Sequence, residues 1–417
     1  MKKVIYIAFY FNHQNEIASK RLQGVAKYLS DFGYEPIVIV PKTENKAVEI
    51  DNVRIVESEY ESMISKFLPK HSVENTNENI ITPNQPTILT KIISLAGELF
   101  AYPDGMKNWR KPAFEKSCEI IENEDITGII SSSFPITSHL IAYDLSEKYN
   151  IPWIADLRDL WNLNPYVHHN PLRNYFEKRL EIKTFKKADI LTTTTDMAAE
   201  TLKTLHPKAK ITPIVSGFDE DDFNDIKQTR KSNKLTLMYA GSLYKGKRDP
   251  TILFESVSDL IHDGKINPKM IEINFYGDST NLEELREKYN LKNIVNICGK
   301  VSHSEVLQNQ MNSDVLVLIS WMSKDEEMFI PGKVYEYMAS KKPVLSIGYE
   351  KGSLKELIEK TNIGYHISDV GECKKAIYDY YTKYINNELE YCGNQFADEY
   401  SMRNTAKKFA QSLEKIQ

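Results

Sequence analysis

The stretch DVLVLISWMSKDEEMFIPGKVYEYMASKKPVLSIG, Asp314 to Gly348, sets two apolar runs on either side of an amphipathic segment that opens with Pro331, Gly332 and Lys333. DVLVLIS (314–320) and KPVLSIG (342–348) are continuous apolar runs suited to strands buried on both faces. Gly332 to Lys341 has the length of a crossover helix, so the stretch predicts strand, helix and parallel strand. Pro331 suits the first helical position, where its missing N–H costs nothing, and Gly332 lets a ligand come close to the backbone. Helix starts carry unpaired N–H groups and partial positive charge. Those of Gly332, Lys333 and Val334, with the Lys333 ammonium, therefore suit a phosphate or diphosphate. Glu336 lies on the same helix face as Lys333 and suits two hydrogen bonds from a ribose diol. Both residues also have a plainer use: a first-turn glutamate favours the helix dipole, and a lysine there is commonly just solvated.

The same alternation of strand-like and helix-like segments runs through the chain. VIYIAF (4–9), EPIVIV (35–40), VRIV (53–56), TGIISS (127–132), PWIAD (152–156), DILTTT (189–194) and ITPIV (211–215) form a first strand series. LTLMYA (235–240), IEINFYG (271–277), NIVNIC (293–298), DVLVLIS, KPVLSIG and IGYHIS (363–368) form a second. Between them lies the charged SGFDEDDFNDIKQTRKSNK (216–234), which reads as a linker. The pattern predicts an α/β fold with two doubly wound, Rossmann-like domains, 1–215 and 216–395, and a last helix (about 396–417) packing back on the first. Asp219, Asp221 and Asp222 read as a solvated hinge surface rather than a metal site. VENTNENIITPNQP (73–86) reads as a loop.

A chain of 417 residues exceeds one ordinary core, in keeping with two domains. Its 53 basic and 58 acidic residues leave a formal charge of −5, which gives no overall attraction for nucleic acid. Cys118, Cys298, Cys373 and Cys392 lack any zinc-like or disulfide-framework spacing and fit a reducing cytoplasm. MKKVIYIAFYFN (1–12) is too short an apolar run for a spanning helix and reads as the first strand.

Two further loops follow strands of the second series. GSLYKGKRDP (241–250) joins Gly241, Ser242 and Gly246 with Lys245, Lys247 and Arg248. A flexible, cationic loop at a strand's carboxyl end is where an open α/β sheet binds phosphate, although some of these cations suit an ordinary surface turn equally well. GKVSHSE (299–305) holds a capping box, Ser302 with Glu305, and the backbone of Gly299, Lys300 and Val301 suits the flank of a flat base.

Taken together, YAGSLYKGKRDP (239–250), INFYGD (273–278), VNICGKVSHSEVL (295–307) and PGKVYEYMASKKPVL (331–345) resemble the family four glycosyltransferases. These are retaining enzymes of the GT-B fold, whose two Rossmann-like domains face each other across a cleft. They move a sugar from a nucleotide diphosphate sugar to an acceptor. The resemblance implies a nucleotide sugar as partner, no cofactor and no required metal, with Glu336 holding the ribose. The family's other glutamate position falls on Met328, leaving Glu327 beside it for the donor sugar. Ser242 stands where the family tends to place an arginine, so the diphosphate charge falls to Arg248 or Lys247, with Lys245 and Lys333 in support. The Pro-Gly-Lys form resembles a subgroup from bacterial surface polysaccharide synthesis, of capsule, exopolysaccharide or O-antigen.

IPWIADLRDLW (151–161) resembles the same subgroup, with Asp156, Arg158 and Asp159 where many relatives carry a histidine. Such a cluster fits a structural salt-bridge knot. It equally fits a catalytic role in which an aspartate orients or deprotonates the acceptor hydroxyl and Arg158 binds the leaving phosphate or an acidic acceptor. His139, in SSSFPITSHL (131–140), and Arg21, in the first loop, are acceptor-side candidates. The implied acceptor is a glycan or a lipid-linked sugar. TILTKIISLAGELFAYPDG (87–105) and the basic RNYFEKRLEIKTFKKAD (173–189) suit contact with the inner face of a plasma membrane, and equally core packing and a solvated helix. An epimerase of the same fold, or a non-catalytic partner subunit, fits the departures at Ser242 and Met328.

Overall fold

Among the described residues, the apolar runs read from the sequence are the strands of two sheets, one of seven strands and one of six, and every pairing is parallel. The computed structural model describes residues 1–13, 17–43, 48–61, 102–224, 226–229, 232–396 and 398–417. The expected loop at 73–86 and most of the amphipathic 87–105 lie outside the described residues.

The first sheet contains β1 (Lys2–Ile7), β2 (Tyr34–Pro41), β3 (Arg54–Ser58), β4 (Ile126–Ser132), β5 (Trp153–Leu157), β6 (Ile190–Thr193) and β7 (Ile211–Pro213). Their order is β3-β2-β1-β4-β5-β6-β7. The second contains β8 (Leu235–Gly241), β9 (Ile271–Gly277), β10 (Val295–Gly299), β11 (Val315–Ile319), β12 (Val344–Ile347) and β13 (Gly364–Ile367), in the order β10-β9-β8-β11-β12-β13. All residues of β5 and of β11 are buried, as expected of strands covered by helices on both faces. The chain divides into two compact units, residues 1–215 with 405–417, and residues 216–404. One core gathers Val4, Tyr6, Val38 and Ile154 with Phe409 and Leu413 of the last helix, Met402–Glu414. The other gathers Leu237, Phe254, Phe275, Val317 and Ile377. This is the α/β, doubly wound architecture the strand pattern predicts.

In each sheet the strand order reverses once, between β1 and β4 and between β8 and β11. Chains leaving adjacent strands in opposite directions open a crevice at the strands' carboxyl ends, where open α/β sheets bind ligands. At the second reversal β8 ends on Gly241, in register with Gly277 of β9. Gly277 has φ +111°, and a Cβ there would lie 2.5 Å from the Gly241 carbonyl oxygen, so the two strand ends approach as only glycine permits.

Candidate functional site

The helix after β11 spans Lys333–Ser340, with Gly332 at its N-cap. Pro331 therefore precedes the cap instead of occupying the first helical position. The Val334 N–H donates to the Pro331 carbonyl at 3.1 Å, so it is turned away from any ligand at the helix start. That leaves the N–H groups of Gly332 and Lys333 for the expected anion.

Lys333 reaches across the reversal point from the β11 side to β8. Its Nζ donates to the Ala240 carbonyl and lies 5.6 Å from the centre of the Tyr239 ring. Gly241 makes the space, because a Cβ at that residue would stand 1.8 Å from Lys333 Nζ. Burial pushes the Lys333 ammonium down to about 8, and the nearby Arg248 charge acts in the same direction, while Glu336 opposes both. Two cations thus share a place with too little negative charge of its own. An anion of two or more charges is the partner such a place attracts.

The loop after β8 holds Arg248 in this arrangement. Its guanidinium lies 4.5 Å from the Tyr244 ring centre, and Nη1 is 3.4 Å from the Ser242 carbonyl, which also accepts from the Tyr239 hydroxyl at 2.9 Å. The Arg248 Nε–H is buried and has no partner among the described residues. Ser242 shapes the turn by accepting the Tyr244 N–H on its hydroxyl at 3.1 Å. Lys247 is exposed and lies over Trp321, 4.3 Å from the ring centre. The side chain of Lys245 lies outside the described residues.

Glu336 faces His303, with Oε1 3.2 Å from Nε2. His303 begins the helix His303–Asn312, whose capping box of Ser302 and Glu305 is formed as the sequence predicts. Ahead of it, Gly299 ends β10 with φ +72°, and Lys300 and Val301 lead to the cap. Glu327 lies between β11 and Lys333, where its carbonyl accepts the Ser353 N–H at 2.7 Å. A Cβ on Gly352 would fall 2.4 Å from that carbonyl oxygen, so a close backbone contact fixes the Glu327 position. Sequence reasoning missed His303, Tyr239 and Trp321. All three lie within or beside stretches already singled out, but His303 meets Glu336 only through the packing of two helices.

In the first unit, Asp156 ends up far from solvent. Its carboxylate accepts from Arg21 Nη2 (3.0 Å) and Nε (3.3 Å), Ser132 Oγ (2.9 Å) and Thr192 Oγ1 (2.8 Å). Burial alone would raise its pKa, yet the Arg21 charge and these hydrogen bonds more than offset it and hold the carboxyl below its ordinary value. Arg21 also donates to the Ile214 carbonyl at 2.9 Å, so the pair ties the segment after β1 to β4, β5, β6 and the end of β7. The buried partner of Asp156 is thus Arg21, whereas the sequence grouped Asp156 with Arg158 and Asp159. Arg158 instead pairs with its neighbour Asp159, Nη2 to Oδ2 at 2.8 Å, and that pair is partly exposed. His139 is buried, with Nδ1 2.7 Å from Ser131 Oγ, which also accepts the Trp153 indole N–H at 2.8 Å. Burial lowers the His139 pKa to about 3, so the ring is neutral. Both acceptor-side candidates are thus packed into the fold.

Among the described residues no helix is long and apolar enough to cross a membrane. No curated protein matches the chain by sequence. Residues 234–383 match the family model described as glycosyl transferases group 1. The whole fold is similar to that of sucrose-phosphate synthase from Thermosynechococcus elongatus, with a TM-score of 0.68 at 13% identity, covering 100% of this chain and 99% of that one. A glycosyltransferase from Rickettsia africae ESF-5 superimposes with a TM-score of 0.62 at 15% identity, over 100% and 98% of the two chains. HepE of Anabaena does so with a TM-score of 0.61 at 13% identity, over 100% of both. Residues 234–383 of the second unit thus resemble a glycosyl transferases group 1 domain, and the chain shares the GT-B fold of these solved structures.

Proposed function

We propose that the chain is a retaining transferase that moves a sugar from a nucleotide diphosphate sugar to a glycan or lipid-linked acceptor, in the synthesis of a bacterial surface polysaccharide. The observation that carries the donor half is the Lys333 ammonium, held at the end of β8 close to Arg248 and short of counter-charge. A diphosphate at the start of the helix Lys333–Ser340 would supply that charge. Glu336, one turn further in, would then accept from the ribose, and the backbone from Gly299 to Val301 would flank the base. HepE, a protein of similar fold, has been crystallised with UDP and glucose and with UDP-glucose, which is the ligand class this reading requires.

In the proposed mechanism the bond from the anomeric carbon to the diphosphate oxygen breaks as the acceptor oxygen forms its own bond on the same face. The leaving diphosphate takes the acceptor proton. Lys333, Arg248 and the free N–H groups at the helix start stabilise the charge that develops on it, the main catalytic effect in such a site. Glu327 is the proposed donor-sugar contact. The first unit is the proposed acceptor domain, with Arg158 and Asp159 as its partly exposed polar pair and the Asp156–Arg21 pair holding the strands that carry them. The place of action in this reading is the cytoplasm, at the inner face of the plasma membrane.

The test is turnover of UDP-, GDP- and ADP-sugars with a lipid-linked oligosaccharide fraction as acceptor, followed by proton NMR of the product's anomeric centre. Acceptor-dependent nucleotide release with the donor's anomeric configuration preserved is the expected result. An inverted centre would overturn the retaining mechanism. Release without acceptor, leaving an epimerised sugar, would make the chain an epimerase, and no turnover of any donor would leave a non-catalytic subunit.

A further inference from the structure

The helix Pro171–Phe185, between β5 and β6, is built inside out. A surface helix normally buries its apolar stripe and shows its charges to water. Here Leu172, Tyr175, Phe176 and Ile182, which share one face at helical spacing, are 57%, 53%, 49% and 39% exposed. The inward face carries Arg173, Glu177 and Glu181, all buried. Glu177 accepts from Arg173 Nε at 2.6 Å and from the Trp161 indole N–H at 3.0 Å. Glu181 accepts from the Asn162 backbone N–H at 3.0 Å and its side-chain amide at 2.6 Å, and lies 3.2 Å from His206 Nε2. Asn170 caps the helix and Pro171 starts it, which fixes its entry.

The orientation is therefore locked from within. Turning the apolar face inward would expel both carboxylates from their partners, and an apolar residue in place of either would be easier to bury than a charge. Both glutamates of the helix are the buried ones, so its exposed surface carries Lys178, Arg179 and Lys183, with Lys186 at the C-cap, and no carboxylate. The Arg179 guanidinium lies over Tyr175, 5.3 Å from the ring centre, and Nη1 donates to the Tyr175 hydroxyl at 2.7 Å, so cation and aromatic form one unit. Tyr166 and Val167, just before the helix, are exposed as well.

We propose that this face docks on the surface of an anionic lipid bilayer. Apolar and aromatic side chains enter the headgroup boundary while flanking cations meet the lipid phosphates, the pattern of a helix lying in a membrane interface. Charge selects this occupant over a second copy of the chain, since two such faces brought together would oppose cation to cation. Docking through the first unit would bring a lipid-linked acceptor to the unit proposed to bind it. The surface itself stands on exposure and charge, independently of the transfer reaction.

The experiment is flotation of the full chain with vesicles of phosphatidylcholine alone and of phosphatidylcholine with phosphatidylglycerol, at low and high salt. Two variants are compared, Lys178→Glu/Lys183→Glu/Lys186→Glu and Tyr175→Ser/Phe176→Ser, whose side chains are exposed and whose melting temperatures should match the parent. The parent should float with the anionic vesicles and lose binding as salt rises. The charge variant should bind at least about a hundredfold more weakly, from roughly fivefold per cation removed, and the aromatic variant should also lose flotation. Failure of the parent to float, equal binding to neutral vesicles, or unchanged flotation of both variants would overturn the proposal. So would a dimer that dissociates in the aromatic variant, or a clear fall in that variant's melting temperature without vesicles, since either would show this face covered by protein.

Discussion

The Lys333 ammonium rests on the Ala240 carbonyl, so a side chain of the helix after β11 closes the end of β8, where the second sheet reverses its order. A lysine held there loses much of its hydration, and this burial is the main cause of its lowered pKa. Such a charge is costly in the empty protein and becomes favourable when a diphosphate arrives.

Gly241→Ala tests whether that position matters. The new Cβ would stand 1.8 Å from Lys333 Nζ, at a residue whose φ is +147°. The lysine tip can swing away more easily than the backbone can, so the fold should survive while the ammonium moves. The expected result is nucleotide diphosphate affinity lowered by about tenfold or more, the loss of one charged hydrogen bond, with a modest change in melting temperature. Unchanged affinity would mean that Lys333 does not meet the ligand from this position.

The pH dependence follows from the same residue. In the empty protein Lys333 loses its proton near pH 8, against an ordinary value of 10.5. Nucleotide affinity should therefore fall as pH rises above about 8, by at most about tenfold per unit for one proton. Stability without nucleotide should move the other way. Between pH 8 and 10.5 the unfolded chain holds the proton that the folded chain has released, so this group's penalty is full below pH 8 and is relieved as pH rises. Calorimetric titrations at pH 7, 8 and 9 should show the fall in affinity in the parent and a flat profile in Lys333→Met. A flat profile in the parent would contradict the assignment.

Asp156→Asn separates structure from chemistry in the first unit. Removing one charge of a buried, hydrogen-bonded pair leaves the other without compensation, at a cost of about 3–5 kcal/mol. The variant should melt several degrees lower. Because the folded carboxyl titrates below its ordinary value of 3.8, the parent should lose this stabilisation only as pH falls through that lowered value. An unaltered melting temperature with lost transfer activity would make Asp156 catalytic instead.

These tests also mark what the sequence could and could not say. Strands such as VLVLI in β11 were legible because parallel strands covered on both faces are continuous apolar runs. Lys333 and Glu336 were legible as a pair because helical spacing alone puts them on one face. His303 was not, since it meets Glu336 across 33 residues through helix packing. The Arg21–Asp156 pair, 135 residues apart, was hidden for the same reason, and both residues entered the reading separately. The helix Pro171–Phe185 shows a harder limit. Its periodicity locates two faces but cannot say which points inward, because Trp161, Asn162 and His206, which settle the matter, come from elsewhere in the chain.

The measurement that tests the central claim most directly is calorimetric titration of UDP, GDP and ADP into the parent and into Glu336→Ala. One diphosphate should bind the parent, and the variant should bind it roughly ten to a hundred times more weakly, the value of a hydrogen bond to a charged group, while melting as the parent does. No binding of any diphosphate to the parent, or equal affinity in the variant, would contradict a nucleotide site at Lys333 and Glu336.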